Sequence, residues 1–421
     1  MRRHRAHADN PPGPWRQRIV EFLGLRRSIV GLLLLVVLVG LGERIGDRFL
    51  PIYLLAVGGG TWAIGTFQAL TNLLGALYAY PGGYLADRYG VRTALTVFSL
   101  TAIVGYAIVV LVPAWQAVLV GALFFLSWSA LSMPAMISLV ASALPPQKRT
   151  MGVSLHSLVR RVPMALGPVL GGLCIVHWGE RTGIRIAFVG AIAAALVALW
   201  AQQRLVAPTP AASAPHRRWA LNPIRHLRQM RPELRQLLIS DILIRFCEQM
   251  PYAFVVIWCM ATIRHPVSAV EFGVLTTIEM TTATIVYLPV AHLADRLGKK
   301  SFVFATFIFF ALFPLVLLVC HSFWPLVAAF VLRGLKEFGE PTRKALIVDL
   351  CPTDQRATMF GFYYLVRDTV VATAAILGAA LWSISPTWNL LAASAFGVAG
   401  SIWFAIRGRD LHGAAAEASS G

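Results

Sequence analysis

Twelve stretches of mostly apolar residues run almost without pause through this 421-residue chain. They cover 28–57, 61–82, 93–112, 115–142, 151–176, 186–203, 236–262, 273–291, 302–320, 323–348, 358–383 and 387–406. A helix needs about 20 such residues to cross the hydrocarbon of a bilayer. In lipid only a helix or a closed barrel satisfies its own backbone groups. The chain is 57% hydrophobic and 13% charged, against about 25% charged residues in a soluble domain. An all-α membrane protein with twelve spans is the expected fold class.

All the connectors are short except one. Residues 204–235 hold PTPAASAP and then HRRWALNPIRHLRQMRPELR. The chain therefore divides into a basic head (1–27), six spans (28–203), a basic linker (204–235), six spans (236–406) and a tail (407–421). With the head inside, the inner segments carry 24 Lys and Arg, and the outer ones only Arg181, Arg185 and Arg264. Basic loops stay on the cytoplasmic side, so both termini are expected there. The net charge of +18 then orients the chain and meets anionic lipid; it is not a nucleic-acid footprint. The apolar run after Arg26–Arg27 lacks a small-residue cleavage site and reads as a retained first span. Arginine makes up 32 of the 37 basic residues, which suits a GC-rich bacterial genome and an inner-membrane location.

Cys174, Cys247, Cys259, Cys320 and Cys351 form no CxxC and lie in or beside apolar segments; they read as core residues rather than disulfides or metal ligands. The histidines form no HxxxH pair. No metal cluster, phosphate loop or nucleophile–base set occurs, so neither a cofactor nor an enzyme is expected.

The two halves resemble each other. GYLADRYG (83–90) after the second span matches AHLADRLG (291–298) after the eighth, 208 positions later. Pro145-x3-Arg149, Leu158-Val159-Arg160 and Gly171 return as Pro352-x3-Arg356, Leu365-Val366-Arg367 and Gly378, each 207 positions on. Arg44-x2-Asp47-x3-Pro51 in the first span matches Arg245-x2-Glu248-x2-Pro251 in the seventh. Such a repeat implies two pseudo-symmetric six-helix halves with a site between them near mid-membrane.

The loop GGYLADRYGVRT resembles the cytoplasmic signature of the major facilitator superfamily, G-x3-D-[RK]-x-G-x-[RK]. The first copy has Gly83, Asp87, Arg88, Gly90 and Arg92 in place. The second keeps Asp295, Arg296 and Gly298 but has Ala291 for the first glycine. The resemblance covers essentially the whole chain. It implies a twelve-helix transporter in which these loops brace the cytoplasmic gate; a carboxylate is favoured at a helix N-terminus. The alternative is that they are only basic turns obeying the topology rule. Gly167-Pro168-x2-Gly171-Gly172 in the fifth span resembles the core of the motif associated with exporters of the superfamily. Ser154 and Pro163 stand where that motif has glycines, and Ser127 and Trp128 stand where proton-coupled drug exporters carry an arginine.

Charged residues fall inside spans 1, 5, 7, 8, 10 and 11, and none in 3, 6, 9 and 12. Each costs about 2.5–3.5 kcal/mol near a helix centre, so they must face one another or a cavity. Arg333, Lys336, Glu337, Glu340 and Lys344 fall at helical spacing, as do Asp241, Arg245 and Glu248. Pro341 is expected to kink span 10. Arg160 and Arg367 each lie 11 residues beyond a cytoplasmic arginine, ~17 Å at 1.5 Å per residue.

Two readings stay open. In one, Arg44, Arg160, Arg245, Arg333 and Arg367 attract an anionic or zwitterionic solute, and Asp47, Glu248, Glu337 or Glu340 carries a coupling proton. In the other they are structural ion pairs: Arg44 with Asp47, Arg245 with Glu248, Lys336 with Glu340. The expected activity is secondary active transport by alternating access, proton-coupled, leaning to export through Gly167 and Pro168 as gate elements. An importer or uncoupled facilitator is the rival, and a non-transporting receptor with this fold is the rival from another class. The expected partners are a small-molecule substrate, protons and lipid, and the expected state is a monomer.

Overall fold

The computed structural model describes residues 27–126, 159–205, 230–297, 299–351 and 356–408. Among these, regular structure is helical throughout. The elements are α1 (Arg27–Asp47), α2 (Leu50–Ala56), α3 (Gly60–Tyr89), α4 (Val91–Leu111), α5 (Trp115–Phe125), α6 (Arg161–Leu205), α7 (Pro232–Tyr252), α8 (Val255–Ile257), α9 (Ala269–Leu297), α10 (Lys299–Val319), α11 (Phe323–Leu335), α12 (Glu340–Leu350), α13 (Arg356–Ile384) and α14 (Pro386–Arg407). A π-helical turn, Trp258–Thr262, follows α8.

By length and apolarity alone, six described helices can cross a membrane, or seven if Pro232–Tyr252 and Val255–Thr262, bent by 44°, form one span. The other expected spans are broken into shorter helices, run into residues outside those described, or, like α3, carry polar residues such as Gln68, Thr71 and Asn72. Spans 5 and 6 are joined more tightly than the sequence suggests. A connector was expected over 177–185, but two helical arms within α6 meet directly at Gly179, whose non-helical φ of +76° turns the chain back. Only glycine takes that conformation without a Cβ penalty. The returning arm lies against the outgoing one, with Gly183 on the backbone of Cys174.

Three breaks place irregular backbone inside the bundle. Span 1 breaks between α1 and α2, with Pro51 in the first turn of α2. Span 7 breaks after Pro251. Span 10 breaks at 336–339, with Pro341 in the first turn of α12. Proline lacks the N–H a continuing helix needs but fits a first turn. Such breaks are tolerated in a membrane where they are buried in protein or line a cavity. The break in span 10 also separates Lys336 from Glu340, so the pair expected between them does not form.

Within the first half, α1 lies on α6 through glycines: Gly42 touches Ala191, Gly46 touches Phe188, and Gly167 touches Arg44. Tyr106, Phe125 and Phe188 stack behind them, Tyr106 lying 5.4 Å from Phe125 and 5.5 Å from Phe188. In the second half, α14 rests on α10 and α7, with Gly397 against Ala311 and Cys247.

The halves meet along α3–α13 and α6–α9. Gly65 approaches Ala375, and Gly273 approaches Pro168 and Val169. These two contacts are repeat mates, since Gly65 and Gly273 differ by 208 and Pro168 and Ala375 by 207. The internal repeat of the sequence is thus a two-fold relation in space.

Candidate functional site

A cavity of about 510 Å³ lies between the halves. Its described lining includes six arginines (Arg44, Arg48, Arg160, Arg245, Arg333 and Arg367) and four carboxylates (Glu43, Asp47, Glu248 and Asp368). All five arginines expected at a substrate site therefore share one space, together with Asp47 and Glu248. Glu337 and Glu340 do not line it. Spans 3, 6, 9 and 12, free of charge in sequence, contribute nothing to this lining.

Most of these charges are matched. Arg44 bonds Asp47 at 2.7 Å, and its repeat mate Arg245 bonds Glu248 at 2.5 Å. Glu248 also accepts from Lys336 at 2.6 Å. Glu279, buried on α9, takes Arg333 at 3.2 Å and lies 3.9 Å from both Lys336 and Arg48. Glu340 accepts from Arg343 at 2.5 Å and Arg245 at 3.3 Å, with Lys344 at 3.4 Å. Asp241, fully buried, accepts from Arg343, from Arg367 at 3.3 Å and from the Tyr363 hydroxyl at 3.1 Å. Arg367 also bonds Asp368 at 2.7 Å and stacks 4.2 Å from the Tyr364 ring centroid. The result is one continuous ionic chain from Arg48 to Asp368 across spans 1, 7, 8, 10 and 11. Burying charge is tolerable only with such pairing.

Sequence reasoning undervalued two parts of this site. Arg343 was not among the expected site residues, yet it is 2% exposed and holds two carboxylates. The uncharged second span also supplies a wall. Gln68 donates to Gln249 at 3.0 Å, and Asn72 donates to the same oxygen at 3.2 Å, across the two halves. The signal was present, since Gln68, Thr71, Asn72 and Gly75 fall at i, i+3, i+4 and i+7 on one helical face.

The expected gate residues are only partly in view. The surroundings of Gly83, the side chains of Asp87, Asp295 and Arg296, and all of Gly298, Ser127, Trp128 and Ser154 lie outside what is described. Arg88 is exposed over the Tyr89 ring. Gly90 has φ +83° between α3 and α4, which explains a glycine there. Arg92 grips the end of α6, donating to the Gln203 carbonyl at 2.7 Å and to its side chain at 2.9 Å. A cation at a helix C-terminus suits the helix dipole. This bond braces span 3 on span 6 within one half. In the fifth span, Gly167 and Gly171 face span 1, while Pro168 and Gly172 face span 8 across the interface.

Further contacts join the two halves among the described residues. They include Phe49 on Phe272, with centroids 5.8 Å apart, and the Thr277 hydroxyl donating to the Ala165 carbonyl at 2.7 Å.

The model of the Major Facilitator Superfamily matches residues 22–264 and 237–420. The chain belongs to this superfamily. It is an integral membrane transporter rather than an enzyme. An uncharacterised MFS-type transporter of Methanocaldococcus jannaschii is 29% identical over 112 residues, 26% of this chain and 28% of that relative's length. Among solved structures, the nucleoside transporter NupG superposes with a TM-score of 0.79 at 12% identity, covering 91% of this chain and 100% of its own. A POT family transporter in complex with 5-aminolevulinic acid gives 0.76 at 13% identity, over 91% and 96% of the two chains. A bacterial homologue of the iron transporter ferroportin, in an inward-facing state, gives 0.69 at 14%, over 90% and 98%. At these identities the likeness is one of fold.

Proposed function

We propose that the protein is a secondary active transporter that moves a small anionic or zwitterionic organic solute by alternating access, driven by protons and in the direction of export. The observation that carries this reading is the cavity between the halves, lined among the described residues by six arginines against four carboxylates. Substrate sites of repeat-built transporters lie at such an interface. With the basic end inside, the close contacts of α3 with α13 and of α6 with α9 seal the outer end, which corresponds to an inward-facing arrangement. The Gly167-Pro168-x2-Gly171-Gly172 segment sits at that seal and supports the export direction. The bacterial inner membrane, cytoplasmic termini and a monomer complete the reading.

The carboxylates differ as proton carriers. Asp47, Glu248 and Glu340 each hold a cation within 4 Å. Glu337, in the break of span 10, has no ion pair or hydrogen-bonded side-chain partner among the described residues, although Lys336 and Glu340 adjoin it in sequence. A carboxylate without a fixed cation can take and release a proton at lower cost, so Glu337 is the coupling residue of this proposal.

The test is reconstitution in proteoliposomes on a solid-supported membrane, screened with small organic acids under an imposed pH gradient. A current in the wild type that depends on the gradient is the expected result. Glu337→Gln should lose at least ten-fold of gradient-driven transport while substrate-for-substrate exchange persists. Gradient-driven transport that survives intact in this variant removes Glu337 from the coupling role.

A further inference from the structure

The internal repeat allows each charge in one half to be compared with its mate in the other. Arg160 and Arg367 are mates, 207 positions apart, and both line the cavity. Their surroundings differ. Arg367 is held by Asp368 and by Asp241, and Asp241 is shared with Arg343. At the positions that match these three, the first half has Arg161, Gly40 and Met136. The match for Asp241 follows from Arg44 and Arg245, which stand four residues further along in each half. Gly40 lies where this predicts, against Pro163 of span 5. The matches for Glu340 and Lys336 are Met133 and Ser129. The first half therefore lacks every carboxylate that neutralises the arginine of the second.

The consequence is visible around Arg160. It makes no ion pair or hydrogen bond with any described residue, whereas the other five lining arginines each have a carboxylate oxygen within 4 Å. It lies in the field of Arg44 and Arg161, which share its sign, and of Glu43, which opposes it. Residues 127–158, which precede it in the chain, contain no Asp or Glu. A guanidinium that faces a cavity with no described carboxylate oxygen within 4 Å is a planar donor for an oxyanion.

We infer that Arg160 is the anion receptor of the cavity, taking a carboxylate or phosphate group of the transported solute, and that its mate Arg367 has become part of the scaffold. The inference rests on the anionic-solute reading above and narrows it. One charge-bearing end of the solute is held by the first half, and the ion-paired second half sets the shape of the site.

Thermal melting of the purified full chain in detergent tests this. The probes are the sodium salts of acetate, lactate, succinate, glutamate and inorganic phosphate, with sodium chloride holding the ionic strength. At least one salt should stabilise the wild type with a saturable midpoint, and the carboxylate and phosphate arms distinguish the two sources of the oxyanion. Arg160→Gln should raise that midpoint at least ten-fold and Arg160→Lys by less. Arg161→Asp, which restores the counter-ion found after Arg367, should also raise it. Arg264→Gln, an exposed external charge, is the control for net charge and should leave it unchanged. If Arg160→Gln fails to fold, the Lys and Arg161→Asp variants carry the test. A wild-type response that these variants retain overturns the role of Arg160 alone. A wild type that none of the salts stabilises overturns the anionic reading, and this inference with it.

Discussion

Asp241→Asn should leave little correctly folded protein. The Asp241 carboxylate is fully buried and accepts from Arg343, Arg367 and Tyr363. Asparagine keeps the shape but removes the charge, and it presents an amide N–H₂ toward two guanidiniums. Arg343, itself 2% exposed, then has only Glu340 as counter-ion, and Arg367 only Asp368. Breaking one side of a buried ion pair costs about 3–5 kcal/mol, against a total stability of about 5–15 kcal/mol for a folded protein. Two companion variants separate charge from contact. Tyr363→Phe removes one hydrogen bond to a charged group, about 1.5–3 kcal/mol, and should be milder. Asp241→Leu with Arg343→Met replaces that ion pair by apolar groups, which is often neutral, and should recover part of the loss, the remainder falling on Arg367. Size-exclusion profiles and melting curves in detergent read all three. An Asp241→Asn protein that melts with the wild type would show that the network does not hold span 7 to spans 10 and 11.

The sequence made one aspect of this site plain and hid another. A charge inside a span has to be satisfied, so confinement of charge to spans 1, 5, 7, 8, 10 and 11 already located the charged walls of the cavity. One helix break was legible, at Pro341; Pro51 and Pro251 stand at the other two but entered the reading only as repeat positions, and Pro289 and Pro314 lie inside helices that continue. Pairing was legible only where both partners share an unbroken turn, as Arg44 and Asp47 do. It failed for Lys336 and Glu340, because the helix stops between them: Lys336 turns to spans 7 and 8, and Glu340 to Arg343 and Lys344 of its own helix and Arg245 of span 7. Partners such as Glu279 for Arg333, or Asp241 for Arg343, depend on how four helices cross, which spacing along one helix does not encode. The amide contact of Gln68 and Asn72 with Gln249 escaped notice for a related reason. Uncharged polar residues satisfy themselves locally often enough that their common face on span 2 carried no alarm.

Two adjacent glycines give the second large expected effect, because they face different neighbours. Gly171 lies on the Ile45 carbonyl of span 1, within one half, and Gly172 on Ala269 and Val270 of span 8, in the other. A methyl group at either position meets backbone, which cannot yield as a flexible side chain would. Gly171→Ala should therefore lower the melting temperature through overpacking, by about 1–3 kcal/mol, with the same loss in every conformation that keeps span 1 on span 5. Gly172→Leu leaves that packing alone and wedges the two halves apart at the end they seal. Its cost falls on the sealed state only, so it shifts a population rather than unfolding the protein. A shift of about 1.4 kcal/mol is a ten-fold change in the ratio of states. The measurement is labelling of a cysteine placed at the cavity-lining Val256, using a membrane-impermeant maleimide in right-side-out vesicles from a background without Cys174. Labelling from outside should rise about ten-fold in Gly172→Leu and stay at the wild-type rate in Gly171→Ala. Equal labelling in the two variants would mean that the contact of span 5 with span 8 does not close the outer end.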